Sequence, residues 1–252
     1  MNRLHSEWAR LFAADPSDHT DLIDPQGRTR SLVVGWGRPA DWSTLAALWQ
    51  AVQAELEWPA PLIAVDGHGA FQLWFPLAEP VPLQAAHQVA AALAARWLPR
   101  APAEAVARRL SVWPRAADGG WQHAARVPAR QPGPEPRWSA FVAPDLAAVF
   151  NDEPALDIDP GDDAQAELLA RHRCINAQAW ARACQSLLKS ERAPTAALPE
   201  PATNEPATEP APTDLAGPFD DPADFLKAVM NHPGAPLAQR IEAARALLLK
   251  RP

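Results

Sequence analysis

Between Arg96 and Arg137 the chain carries eight arginines against three acids, a net charge of +5, with tryptophans and a histidine interleaved. Guanidinium groups alternating with indoles suit a single strand, because cations displace the counterions of its phosphates and flat rings stack on its bases. Trp113, Arg115, Trp121, His123, Arg126, Arg130 and Arg137 are therefore the candidate nucleic-acid-binding residues. The alternative is that these arginines lie on solvated faces and pair with acids. Acids are close at hand: from Ser139 to Ala170 there is no Lys or Arg, and eight Asp and Glu residues give −8.

A second group could bind metal. Asp66 and His68 bracket the run Asp66-Gly67-His68-Gly69, and Asp145 precedes the pair Asp157 and Asp159. A divalent ion bridging substrate phosphates needs two or three such oxygens within a few ångströms of one another. Asp-Gly-x-Gly is also an ordinary turn sequence, and Asp157 to Asp163 reads equally as a turn leading into a helix cap. No P-loop, nucleophilic triad or Cys/His metal spacing occurs. Cys174 and Cys184 are too few for a disulfide framework or a zinc site and read as idle thiols.

The elements that must position these groups alternate in period. Residues 31–36 form a β-rich run, and Asp41 caps a helix whose Leu45, Leu48, Trp49, Val52 and Leu56 fall at helical spacing until Pro59 and Pro61. Residues 61–65 and 70–75 flank the Asp66 turn as a hairpin, and a helix follows from Leu83 to Leu98. Short strands are expected at 110–113, 123–127 and 138–142, and helices at 163–173 and 176–190. Trp49, Trp74 and Trp97 sit on apolar faces and read as core. The class is α+β with an antiparallel component.

The order of these pieces resembles the catalytic core of the archaeo-eukaryotic primase superfamily, the primase-polymerases of bacterial mobile elements and conflict systems. The run Asp66-Gly67-His68-Gly69-Ala70-Phe71-Gln72-Leu73-Trp74 is similar to that family's Gly-rich hairpin, and Glu79-Pro80-Val81-Pro82 to its acidic-Pro-x-Pro segment. Gly119-Gly120 and the stretch from Ser139 to Leu146 follow in the family's order, so the resemblance spans about residues 30–160. It implies a primase-like mixed or antiparallel sheet with flanking helices.

It also implies two metal-binding carboxylates on the first strand, a histidine in the hairpin and a third acid later. Those positions fall on Gly35, Gly37 and Gln72, and near Ala143, with Asp145 two residues displaced. The expectation is a catalytically silent primase-like protein with no cofactor, an accessory factor of replication or of a mobile element that binds single-stranded nucleic acid or a nucleotide. Two alternatives stand beside it. One is an interaction scaffold without nucleic-acid binding. The other is an active primase or nucleotidyltransferase using Mg²⁺ or Mn²⁺ on displaced ligands such as Asp66, His68, Asp145 and Asp157.

Composition sets the boundaries. The chain has 252 residues, 48% hydrophobic and 21% charged, with 29 prolines against 11 glycines and a formal charge of −7. All 11 tryptophans lie between Trp8 and Trp180, so a body of residues 1–190 is expected. Residues 191–218 are proline-spaced and acidic, and read as a disordered linker that could reach roughly 80–90 Å. Residues 219–252 read as a C-terminal helical hairpin, with Asp221-Pro222 as a helix start, that docks on the body or binds a protein partner. No apolar run is long enough to span a membrane and no apolar leader stands at the start, so a cytoplasmic protein is expected.

Overall fold

The computed structural model describes residues 2–15, 21–98, 108–191 and 221–231. The chain divides into two units, Met1–Ala196 and Ala197–Pro252. In the first, helix α1 (Arg3–Phe12) precedes β1 (Arg28–Gly37), α2 (Trp42–Glu55), β2 (Leu62–Val65), β3 (Ala70–Pro82) and α3 (Leu83–Trp97). Then come β4 (Leu110–Trp113), β5 (Arg115–Ala117), β6 (Gly120–Gln122), β7 (Ala129–Arg130) and β8 (Trp138–Val142). A 3-10 helix (Ala147–Phe150), α4 (Asp162–Ala170) and α5 (Ala177–Glu191) complete the unit. The architecture is mixed α+β. Its main sheet is six-stranded, ordered β4-β1-β3-β2-β8-β7, and its strand pairings are all antiparallel.

One face of the sheet is apolar throughout. Leu32, Val34 and Trp36 of β1 alternate onto it with Ile63, Val65, Phe71, Leu73 and Phe75, and it is covered by Leu45, Leu48 and Val52 of α2, Val89 and Leu93 of α3 and Ala183 and Leu187 of α5. Asp41 caps α2 through the Thr44 N–H at 3.2 Å. Its carboxyl is held below the usual range, first by the Ser43 and Thr44 hydroxyls, with the charge of Arg109 adding.

The opposite face is covered only in part. Trp8, Leu11 and Phe12 of α1, with Ala166 and Leu169 of α4, pack on Val33, Leu62, Ala64, Trp74 and Phe141. Phe12 meets the edge of Trp74 at 5.2 Å and stacks on Phe141 at 5.9 Å. Arg10 binds α1 to the end of α4 by donating to the Leu169 and His172 carbonyls at 3.0 and 3.2 Å. Residues 123–127 are not the expected strand: β6 ends at Gln122, and Ala124 and Val127 turn into this second core at a spacing of three, which strand alternation forbids.

In the second unit α6 spans Pro222–Asn231, with the Asp224 and Phe225 N–H groups donating to the Asp221 carbonyl, as the Asp-Pro start predicts. The linker beyond residue 191 and the second helix of the expected hairpin lie outside the described residues. Among the described residues no helix is long and apolar enough to cross a membrane.

Candidate functional site: an arginine-walled cleft on the uncovered sheet face

Side chains on the second face shrink along the strands. Val33 is paired with Trp74 and with Trp113; the next pairs are Gly35 with Gln72 and with Ser111, and then Gly37 with Ala70. Where α1 and α4 no longer cover the sheet, these small residues floor a cleft of about 270 Å³. The three positions onto which the family's two carboxylates and histidine map, Gly35, Gly37 and Gln72, all lie on this floor.

The floor is closed to larger groups. A Cβ on Gly37 would lie 2.3 Å from the Ala70 Cβ and 2.5 Å from the Gly69 carbonyl oxygen, and one on Gly35 would lie 3.3 Å from the Trp113 ring. Gln72 is buried and its Oε1 accepts from Trp74 Nε1 at 2.9 Å, which leaves its NH₂ as the remaining donor group. Among the described residues Asp66 is the only carboxylate lining the cleft. Its Oδ1 already accepts from the His68 and Ala70 N–H groups at 2.7 and 2.9 Å, as the turn sequence requires.

The walls are cationic. Arg38, Arg108, Arg109, Arg115 and Arg126 line the cleft, and among the described residues none of them makes an ion pair. Three lie over indole faces: Arg126 over Trp8 at 4.3 Å, Arg109 over Trp36 at 4.6 Å and Arg115 over Trp113 at 5.7 Å. Such stacking fixes the plane of the guanidinium fork and contributes about 0.5–2 kcal/mol, depending on desolvation. Burial pushes the Arg126 guanidinium below its usual range. Arg109 donates from Nη2 to the Pro39 carbonyl at 2.9 Å, but its buried Nε finds no acceptor among the described residues. Arg38 holds a left-handed backbone at φ 59°, a conformation that costs a non-glycine residue about 1 kcal/mol or more.

Arg38, Arg108 and Arg115 are exposed, whereas Arg109 and Arg126 are partly buried and, among the described residues, make no ion pair, a costly arrangement that an entering anion would relieve. Five arginines beside a single, turn-committed carboxylate give the cleft a cationic wall, and each planar guanidinium fork can donate two parallel hydrogen bonds to a pair of anionic oxygens.

Of the candidate binding residues, Trp113, Arg115 and Arg126 line the cleft; Trp121, His123, Arg130 and Arg137 do not. Trp121 meets the His87 ring edge-on at 6.0 Å, and Arg137 pairs with Glu153 at 2.7 Å. His123 packs beside Trp74, its Nε2 donating to the Ser31 carbonyl at 3.1 Å while its Nδ1 accepts from the Ala124 N–H at 2.9 Å. Burial pushes its imidazole down to about 4, with the Ser31 carbonyl pulling in the opposite direction.

Arg38, Arg108 and Arg109 were not among the expected binding residues. Their signal was positional: they abut the ends of two neighbouring strands, β1 and β4, at the edge of the glycine pair.

The divalent metal implied by the resemblance does not fit the residues present. Gly35 and Gly37 supply no side-chain oxygen, and Ala143 with the exposed Asp145 lies at the end of β8, outside the cleft lining. Among the described residues no three His, Cys, Asp or Glu side chains gather where they could hold one metal ion. Compared with protein-family models and with curated proteins, the chain finds no match.

Proposed function

We propose that the protein is a primase-like module that binds the phosphates of single-stranded nucleic acid or of a nucleotide in the arginine-walled cleft and does not synthesise primers. The observation that carries this reading is the coincidence of two things in one place. The sheet positions that a primase-type site would fill with carboxylates are glycines, and around them, among the described residues, stand five arginines that make no ion pair. Attraction for a metal–nucleotide complex is replaced by direct attraction for phosphate. Trp113 on the cleft wall adds a flat surface for a base. The resemblance further favours a replication or mobile-element setting, in which such a module would deliver or hold a strand for an active partner.

The test is binding of fluorescently labelled single-stranded DNA by the full-length protein across a salt series, with Mg²⁺ and nucleotides added in parallel. Binding that weakens steeply with salt, without strand extension, is the expected result. Extension would overturn the silent reading, and absence of binding at low salt would overturn the phosphate reading.

A further inference from the structure

A second concavity, of about 340 Å³, lies between the outer edge of β8, the 3-10 helix and α4. Its apolar lining includes Phe141, Val142, Leu146, Phe150, Leu156 and Leu168. Exposed apolar side chains gather beside it. Of the four large hydrophobics exposed among the described residues, Leu146 (52%) lines the groove, Val149 (75%) adjoins the lining residue Phe150, and Ile158 (74%) lies midway in the chain between the lining residues Leu156 and Pro160. Single exposed apolar side chains are ordinary; three around one apolar groove mark a surface that something covers.

The charge around the groove selects what that is. No Lys or Arg occurs from Ser139 to Ala170, and Asp145, Asp152, Asp157, Asp159 and Asp163 are exposed without an ion pair among the described residues. Among the described residues the one cation in the lining, Arg171, pairs with Glu167. Phosphate-bearing partners, strands and anionic membranes alike, are repelled by such a rim, whereas Lys and Arg side chains are attracted to it.

The backbone narrows the binding mode. Beyond the two residues of β8 that pair with β7, its edge at Phe141 is sealed beside the groove by Gln165, a buried side chain whose Oε1 accepts from the Phe141 N–H at 2.9 Å and whose Nε2 donates to the Phe141 carbonyl at 3.0 Å. An incoming segment finds no free N–H and C=O pair at Phe141, so it docks through its side chains and not as an added strand.

We propose that this groove docks a short segment of a partner protein that carries two or three large apolar side chains flanked by Lys or Arg. Apolar anchors fill the space between Phe141, Phe150 and Leu168, and the cations face Asp157, Asp159 and Asp163. The occupant is opposite in charge to the ligand of the cleft, so one body would engage a polyanion on one surface and a basic peptide on another.

The experiment pans a phage-displayed library of random peptides, about a dozen residues long, against the immobilised full-length protein. Enriched sequences are synthesised and their binding measured by fluorescence anisotropy. The expected result is enrichment of net-positive peptides with Leu, Ile, Phe or Trp. Their binding should fall about tenfold or more on Val149→Ser/Ile158→Ser and, separately, on Asp157→Lys/Asp159→Lys. All four side chains are exposed, and Asp159→Lys removes one turn bond, from the Gly161 N–H, so circular dichroism confirms that each variant keeps the fold before binding is compared. Failure to enrich any peptide, enrichment of acidic peptides, or equal binding to wild type and both variants would overturn the proposal. So would concentration-dependent self-association that the same substitutions abolish, because the occupant would then be a second copy of the chain.

Discussion

Gly37 of β1 and Ala70 of β3 face each other so closely that a Cβ on Gly37 would lie 2.3 Å from the Ala70 Cβ. Together with the Gly69 carbonyl oxygen at 2.5 Å, this makes position 37 a place where no side chain fits without moving the sheet. The backbone itself therefore excludes a carboxylate at this position. Gly37→Ala is expected to destabilise the protein by about 1–3 kcal/mol or more, as overpacking does. Gly35→Asp/Gly37→Asp should lower stability further and yield no Mg²⁺-dependent nucleotide incorporation. Urea titration of each variant and a strand-extension assay check this; a stable double variant that extends a strand would contradict it.

Arg109 combines a stack on Trp36, a bond to the Pro39 carbonyl and a buried Nε without an acceptor. Lysine has neither a planar fork nor an Nε–H. Arg109→Lys keeps the charge and is expected to weaken single-strand binding about tenfold at fixed salt, with little change in the slope of log Kd against log salt. Anisotropy titrations of the two proteins measure it. Equal affinity would show that charge alone is read.

The His123 environment predicts a pH dependence of stability. With its Nε2–H directed at the Ser31 carbonyl and its Nδ1 accepting from Ala124, the folded protein holds the ring neutral down to about pH 4, against an ordinary value of 6.5. Above 6.5 the ring is neutral in both states and its favourable burial is fully present. As pH falls from 6.5 to about 4 the unfolded chain takes up a proton that the folded chain refuses, so stability is lost across that window. The loss approaches about 1.4 kcal/mol per pH unit and a few kcal/mol in all. His172, also shifted down chiefly by burial, acts in the same direction. Urea midpoints at pH 7.5 and 4.5 should differ clearly in the wild type and less in His123→Gln.

Gln165 closes the outer edge of β8 by two hydrogen bonds to Phe141. Gln165→Leu leaves a buried N–H and C=O unpaired and is expected to cost about 2–5 kcal/mol. Hydrogen exchange at the Phe141 amide should accelerate more than at Ala64, its neighbour on β2. Unchanged protection would show that the edge is sealed by something else.

Much of the scaffold was legible because its signals are local. The Asp41 cap, the prolines that end α2, the Asp66 turn and the alternation in β1 and β3 each act within a few residues. Helix α1 went unread although Leu4, Trp8, Leu11 and Phe12 fall on one helical face, because its start is capped by Asn2 with no acidic first turn to strengthen the signal. That omission concealed the platform under Arg126, since Trp8 is distant in sequence and supplies the ring. His123 lay among arginines and tryptophans in the chain and drew a binding role from its neighbours. Three-dimensional packing instead pairs it with Ser31, a partner that sequence spacing does not announce. The cleft itself is a property of register, in which Gly35, Gln72 and Ser111 become neighbours only when three strands pair.

The most direct test of the proposed phosphate binding in the cleft compares salt dependence between two exposed pairs of arginines. Arg108→Gln/Arg115→Gln removes two cations from the cleft wall, and Arg130→Gln/Arg173→Gln removes two from outside it. With labelled single-stranded DNA, the cleft variant should bind more weakly and flatten the slope of log Kd against log salt by about 1 to 1.5, while the second variant keeps the wild-type slope. Equal slopes for all three proteins, or a loss confined to the Arg130/Arg173 variant, would contradict the assignment of the cleft as the phosphate-binding site.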